Sequence, residues 1–392
     1  MGREMTSRVD PADAAELCET LRCCGGERKK VELGGRFTKR AMGGAVEPPD
    51  LVVSTARMAR VVEYEPRDLT IGVEPGLGWQ ALEDLLGENR QMLPLDPPLA
   101  QEATIGGVVA ANCSGPRRRL YGTARDMVIG MRFVSLDGQE AQSGGMVVKN
   151  VAGLDIAKLL IGSFGTLAAM ARVNFKVYPK PVEERTFLLA FESLGLALKA
   201  RDLVLRSALQ PAAVDLVNPA AAAGFGLDLP AGFLLLVEAG GIEAVMYRYE
   251  RDLKGMAREA AGTECLTLEA GRARQLWRRV CDFPAAPGDA VIRLSTTLAR
   301  LGECFAAAGE LPVVARAGSG VAYARCPVPQ LDLAAHARAA GLHAVIESCP
   351  EPDKRRFDLW ADPGPELEIM SRIKQALDPH SLLNHGRLFG RL

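Results

Sequence analysis

Two rhythms of apolar and polar positions run through the first part of this chain. Ala12 to Leu21 carries apolar residues at helical spacing, "KVEL" (30–33) reads as a strand, and "GGRFTKRAMGG" (34–44) as a turn of glycine and small polar residues. The runs "DLVVST" (50–55), "VVEYEP" (61–66) and "LTIGVEPG" (69–76) alternate or stay apolar between turn residues and predict strands. "GWQALEDLLGENR" (78–90) predicts a helix because Leu82, Leu85 and Leu86 share a face. A second mixed block, from about Thr104 to Pro181, opens on the small-residue helix "TIGGVVAANCSG" (104–115). It passes through the strand "MVIGMRFVSLDG" (127–138) with its Asp-Gly turn and closes on 146–181, where two glycine turns precede an alternating strand.

Pro and Glu in "YPKPVEE" (178–184) mark a boundary, after which the texture becomes strand, long helix, strand, twice over. "TFLLAF", "LALKARDLVLRSAL", "AVDLVN", "FLLLVEA", "AVMYRYERDLKGMAREA" and "CLTLE" predict a β-α-β-β-α-β unit of ferredoxin-like type, and a less regular set of the same kind follows to about residue 350. The tail predicts a helix with Ile369, Ile373 and Leu377 on one stripe, ended by Asp378-Pro379.

Composition narrows the function classes. The 392 residues exceed one ordinary core, and 48% apolar with 24% charged residues is a globular balance. A net charge of -1 and 5% aromatics give neither the basic face nor the stacking platform of a nucleic-acid binder. The opening residues lack an apolar run of signal-peptide length and no transmembrane segment is predicted, so the expectation is a cytoplasmic protein with reduced thiols. The nine cysteines contain no C-x-x-C pair, so no metal or iron–sulfur ligand set is expected.

Three segments combine glycine with small hydroxyl residues: "GGRFTK" (34–39), "ATIGGVVAANCSGPRRRLYGTARD" (103–126) and "KNVAGLDIAKLLIGSFGTL" (149–167). Such turns let backbone N–H groups approach a phosphate without interference from Cβ atoms, although each alone also reads as a tight connection. None is a G-x-G-x-x-G or a Walker sequence. With "VEPGLGWQALEDLL", "MLPLDPP" and the terminal "LDPHSLLNHGR", in that order, they resemble the FAD-binding domain of the vanillyl-alcohol-oxidase and D-lactate dehydrogenase superfamily, and within it the FAD-binding subunits of glycolate oxidases.

The resemblance implies an α+β fold: a two-lobed PCMH-type FAD-binding domain (1–181), a smaller ferredoxin-like α+β cap (182–350) and a C-terminal segment (351–392) that returns to the flavin. It implies that Gly35, Thr38 and Lys39 wrap the pyrophosphate, that Thr104, Gly106 and Gly107 meet the diphosphate, and that Asn112, Gly115, Gly122 and Asp126 continue those turns. Gly153, Asp155, Gly162, Ser163, Gly165 and Thr166 are then expected along the ribityl chain and adenine, and Asn384 and Arg387 near the flavin, with His385 where the family usually has proline. Lys149 and Asn150 read either as cofactor contacts or as a surface lysine and a turn asparagine; Arg117, Arg118 and Arg119 read as phosphate ligands, a partner-subunit contact or a solvated loop.

Two departures from the family shape the expected chemistry. All four histidines (His336, His343, His380, His385) lie in the last fifth of the chain, so FAD is expected to be non-covalent. Where catalytic relatives carry a histidine-flanked Gly-Asp-Gly-Asn, this chain reads "RAGSGVAYARC", with Ser319 and Val321 in place of the acid and amide. The catalytic residues are therefore left unassigned, and His336 and His343, read as seven apart on one helix, offer a weak substitute. The expected function is an FAD-binding subunit of a glycolate oxidase type complex that oxidises 2-hydroxy acids, with a paralogous FAD-binding catalytic subunit and an iron–sulfur subunit as partners. It is expected to be cytoplasmic, or peripheral to the membrane through those partners. The alternatives are a self-sufficient FAD-dependent dehydrogenase binding substrate through Tyr323, Arg316 or Arg325, and a flavin-binding assembly subunit without turnover.

Overall fold

A computed structural model describes residues 7–147, 154–285, 288–330, 332–361 and 363–392. It divides into two compact units. The first is assembled from Met1–Cys113, Thr123–Lys180 and Lys354–Leu392, the second from Ser114–Gly122 and Pro181–Asp353.

In the first unit the opening helix runs Ala14–Glu27, longer than the apolar spacing predicts. Asp13 caps it by accepting from the Glu16 N–H at 2.9 Å, and it stops where Arg28 turns left-handed (φ 55°). Leu17, Leu21 and Cys24 face inward onto Val31, Val53 and Val134. The strands Ser7–Val9, Leu51–Ser54 and Val31–Gly34 form a parallel three-stranded sheet with Leu51–Ser54 in the middle. A separate antiparallel sheet orders Val61–Glu65, Thr70–Val73, Ala169–Lys176, Val128–Val134 and Glu140–Gly144. Its edge strand leaves Val61 and Val62 exposed, while Thr70–Val73 is buried on both faces.

The C-terminal segment completes this unit. The Val31 N–H donates to Leu382 O (2.8 Å) and the Asn384 N–H to Val31 O (2.9 Å), so the tail lies alongside Val31–Gly34. The preceding helix, Glu366–Leu377, corrects the sequence expectation, since Ile369 on the apolar stripe is exposed and the buried residue is Lys374. The reason is polar: Lys374 Nζ donates to Thr166 O (2.6 Å), Asp378 Oδ2 (2.6 Å) and Leu383 O (3.0 Å). Asp378 also accepts from the Leu382 and Leu383 N–H groups. Burial pushes the Lys374 ammonium below its usual value and Asp378 acts against that shift.

The second unit is one antiparallel eight-stranded sheet. Glu264–Leu268, Glu183–Phe191, Phe233–Gly241 and Ala213–Val217 form one half, with helices Leu194–Arg206 and Glu243–Glu259 as its crossovers. Val313–Arg316, Val321–Cys326, Ala290–Ser295 and His343–Ser348 form the other, with helices Leu301–Ala308 and Asp332–Ala339. Both halves are β-α-β-β-α-β with the same internal strand order, so the stretch that looked less regular repeats the first. They meet at one short seam, Leu216 opposite Ala315 and Val217 opposite Val314. His336 and His343 do not share a helix: Gly341 (φ 77°) ends the turn between them, and His343 begins a strand.

Asp378→Ala is expected to destabilise the first unit by about 3–5 kcal/mol, because it leaves the Lys374 charge buried without its carboxylate. Chemical denaturation of the variant, followed by a probe in this unit, measures the loss.

Candidate functional site

A cleft opens within the first unit. Its walls come from the turn after Val31–Gly34, the start of the helix Ile105–Ala110, the turn around Gly165 and the C-terminal tail. The expected residues Gly35, Thr38, Lys39, Thr104, Gly106, Gly107, Gly165 and Asn384 all line it. Phe37, Arg40, Thr55, Pro75, Ala110, Phe164, Met170 and Arg387 join them.

The floor is built for close backbone approach. A Cβ on Gly35 would lie 2.3 Å from Thr104 Oγ1, and one on Gly106 would lie 2.8 Å from the Pro75 side chain. Thr104 caps the helix Ile105–Ala110, its hydroxyl accepting from the Gly107 N–H at 3.4 Å. Among the described residues, the N–H groups of Gly35, Arg36, Phe37 and Thr38 donate to no protein acceptor. Successive N–H donors of this kind in a glycine-led turn suit an anion such as a diphosphate, and Gly35, Phe37 and Thr38 line the cleft.

The Lys39 side chain helps to hold this turn in place. It is buried, and its ammonium donates to Pro98 O, so it ties the turn down from below. The tail holds the same turn from the other side. Arg387 donates to Lys39 O and Arg40 O, both at 3.0 Å, with its guanidinium 5.2 Å from the Phe164 ring. Lys354 donates to Arg40 O and Gly44 O. Asn384 Oδ1 accepts from the Leu33 N–H (2.7 Å), and its Nδ2 donates to Leu33 O (2.9 Å) and Phe164 O (2.7 Å).

The second glycine turn abuts the cleft. Gly162 (φ 81°) and Gly165 (φ 70°) both need the left-handed region; a Cβ on Gly165 would meet Asn384 Nδ2 at 2.8 Å, and one on Gly162 would meet the Asn112 Cβ at 3.3 Å. The Ser163 hydroxyl accepts from the Gly165 N–H, and Thr166 Oγ1 donates to Ser163 O at 2.8 Å. Gly162, Ser163 and Thr166 thus shape the turn without lining the cleft.

Other expected residues lie elsewhere. Asn112 is exposed at a left-handed turn, and Asp155 precedes the short helix Ile156–Leu160 without a side-chain cap. Asp126 closes a capping box, accepting from the Thr123 N–H at 2.7 Å and from its hydroxyl at 3.0 Å. Gly115 and Gly122 belong to the second unit. Gly153, Lys149 and Asn150 fall outside the described residues.

The arginine run is not a solvated loop. Arg119 donates to Pro211 O at 2.9 Å, and its Cδ lies where a Cβ on Gly318 would be only 2.4 Å away. Its side chain therefore lies against Gly318. Arg316 and Tyr323, candidates for substrate contact, are buried, with Arg316 ion-paired to Asp215 and 5.4 Å from the Tyr323 ring. Arg325 lies 4.7 Å from the Phe283 ring. Among the described residues no group of three or more His, Cys, Asp or Glu side chains is placed to hold a metal ion, and no helix is long and apolar enough to cross a membrane.

Comparison with known proteins points to FAD as the cofactor. Residues 7–144 match the family profile of an FAD binding domain, and residues 354–388 match the C-terminal domain of FAD linked oxidases. The chain is similar to glycolate oxidase subunit GlcE of Escherichia coli strain K12, at 36% identity over 156 residues, covering 40% of this chain and 44% of that one. It is similar to glycolate oxidase subunit GlcD of Bacillus subtilis strain 168 at 28% identity, covering 63% and 53% of the two chains. It thus spans about half the length of these curated relatives. In fold it is similar to p-cresol methylhydroxylase (TM-score 0.77, 13% identity, 97% of this chain and 88% of that one).

Asn384→Ala removes three hydrogen bonds and is expected to cost about 2–4 kcal/mol in the first unit. Thermal denaturation of the FAD-free chain reads it, and flavin retention on a desalting column is expected to fall with it. The two Thr123 bonds, backbone first, hold the Asp126 carboxyl below its ordinary value, against its partial burial. A depressed folded value stabilises the fold above the unfolded value of about 3.9, and that contribution disappears as pH falls through the folded value. Asp126→Asn is therefore expected to be less stable than the parent by about 1 kcal/mol at pH 7. The gap should narrow in melts taken below about pH 4.

Proposed function

We propose that this chain, which carries the FAD-binding domain of the FAD-linked oxidases, is the FAD-binding subunit of a glycolate oxidase type complex oxidising 2-hydroxy acids to 2-oxo acids. The similarity to two glycolate oxidase subunits supports the substrate class. In this reading the partners are a paralogous FAD-binding catalytic subunit and an iron–sulfur subunit. The assignment of 1–181 to cofactor, 182–350 to substrate or partner, and 351–392 to closure of the cofactor site belongs to the same proposal.

FAD is the cofactor, and when bound it supplies a two-electron acceptor for oxidation of a carbon–hydrogen bond beside a hydroxyl. The chain's own groups do the holding. The free N–H groups from Gly35 to Thr38 and the small floor at Thr104, Gly106 and Gly107 would take the diphosphate. Asn384 and Arg387 fix the turn that carries those donors.

The observation that carries the subunit reading is the state of the polar groups in the second unit. Arg316 is paired with Asp215, Arg293 with Glu347 at 3.0 Å, and Arg119 lies against Gly318. No histidine stands in the segment from Ala317 to Tyr323 to take a proton from a hydroxy acid. A positioned base contributes about a hundredfold to ten-thousandfold in rate, so oxidation by this chain alone would be slow.

Anaerobic mixing of the purified, flavin-loaded chain with glycolate or D-lactate is expected to bleach the flavin slowly or not at all. Bleaching is expected to become fast when the partner subunits are added. Fast bleaching by the chain alone would instead favour a self-sufficient dehydrogenase.

A further inference from the structure

Phe37 sits in the middle of the phosphate turn with φ 58°, a conformation that bulky side chains rarely adopt. Asn384 and Phe164 also line the cleft at positive φ, but each has partners that account for it. Asn384 makes three hydrogen bonds, and Phe164 packs edge-on to Trp360 at 6.3 Å with Arg387 5.2 Å away. Phe37 is half-buried and lies outside the buried core.

Its ring is nevertheless held in one place. A Cβ on Gly34 would lie 2.6 Å from Phe37 Cε1, so the ring rests on the bare α-carbon of Gly34, itself part of the cleft wall. The Arg40 guanidinium stands 5.0 Å from the ring centroid and is fixed by a two-pronged bond to Glu32 (2.9 and 2.7 Å). Arg8 lies 6.0 Å from the same centroid. A glycine at position 37 would adopt this backbone freely. An aromatic ring is instead kept there at a conformational cost, in a turn whose neighbouring N–H groups are free.

We infer that Phe37 is a retention residue for the dinucleotide: its ring packs against an aromatic ring of FAD beside the diphosphate, and Gly34 and Arg40 hold it in that position. The inference rests on FAD as the cofactor of this cleft. A ring–ring stack of this kind is worth roughly a tenfold to hundredfold in affinity.

The test compares the full chain with Phe37→Gly, Phe37→Ala and Phe37→Trp, each stripped of flavin. FAD binding and release are followed by quenching of flavin fluorescence, and stability by thermal denaturation without cofactor. Phe37→Gly is expected to release FAD roughly ten to a hundred times faster while melting at the parent temperature or above, since it removes ring and strain together. Phe37→Ala is expected to lose the same affinity with no gain in melting temperature, and Phe37→Trp to keep the parent's affinity. Binding of ADP and of FMN tells which ring is met: a loss confined to ADP assigns the adenine, and one confined to FMN the isoalloxazine. Equal affinity of parent and Phe37→Gly for FAD, ADP and FMN overturns the inference. So does a fall in the cofactor-free melting temperature of Phe37→Gly, which would make the ring ordinary packing. A parent chain that binds no FAD is a separate result, against the cofactor assignment itself.

Discussion

One side-chain amide, that of Asn384, connects three stretches of backbone that the sequence keeps far apart. It completes the hydrogen bonding of Leu33 in both directions and takes the carbonyl of Phe164, so the end of a strand, a glycine turn and the C-terminal tail share one fixing point. The first glycine turn starts at the residue after Leu33, and the second surrounds Phe164. The spacing between the two sides of the cleft is therefore set by an amide with no slack. Arg387, Lys354 and Lys374 add charged donors to other carbonyls around the same turns, and Lys374 does so from a buried position tolerable only beside Asp378.

Much of this was readable from residue order because the physics involved is local. Glycine at a turn, threonine before a helix and alternation in a strand each reflect a constraint that acts over a few residues. Hence Gly35, Thr104, Gly106, Gly107 and Gly165 were legible as backbone-exposing positions, and the β-α-β-β-α-β rhythm of the second unit was visible in its apolar runs. The second half of that unit looked less regular only because its helices, Leu301–Ala308 and Asp332–Ala339, are short.

What stayed hidden depends on partners distant in sequence. A lysine on an amphipathic helix carries no sign that it will be buried; Lys374 is buried because three oxygens converge on it from Thr166, Asp378 and Leu383. Nothing in the sequence around Lys39 shows that its ammonium will be buried and bonded to Pro98 O, 59 residues on. The arginine run looked solvated because its neighbours in sequence offer nothing to cover it, whereas Arg119 reaches Pro211 and the bare turn at Gly318. Asp126 lies in a glycine-rich stretch and its role is still local, closing a helix start with Thr123.

The first unit is discontinuous, with Pro181–Asp353 inserted before its final segment. Synthesis delivers residues in order and domains tend to fold as they emerge. The inserted sheet has all its strands before Lys354 appears, whereas the turn after Leu33 lacks its braces until Lys354, Asn384 and Arg387 have left the ribosome. The turn after Leu33 is thus braced late in synthesis, and a nascent chain halted before Asn384 would carry every strand of the second unit while that turn still lacked its fixing point.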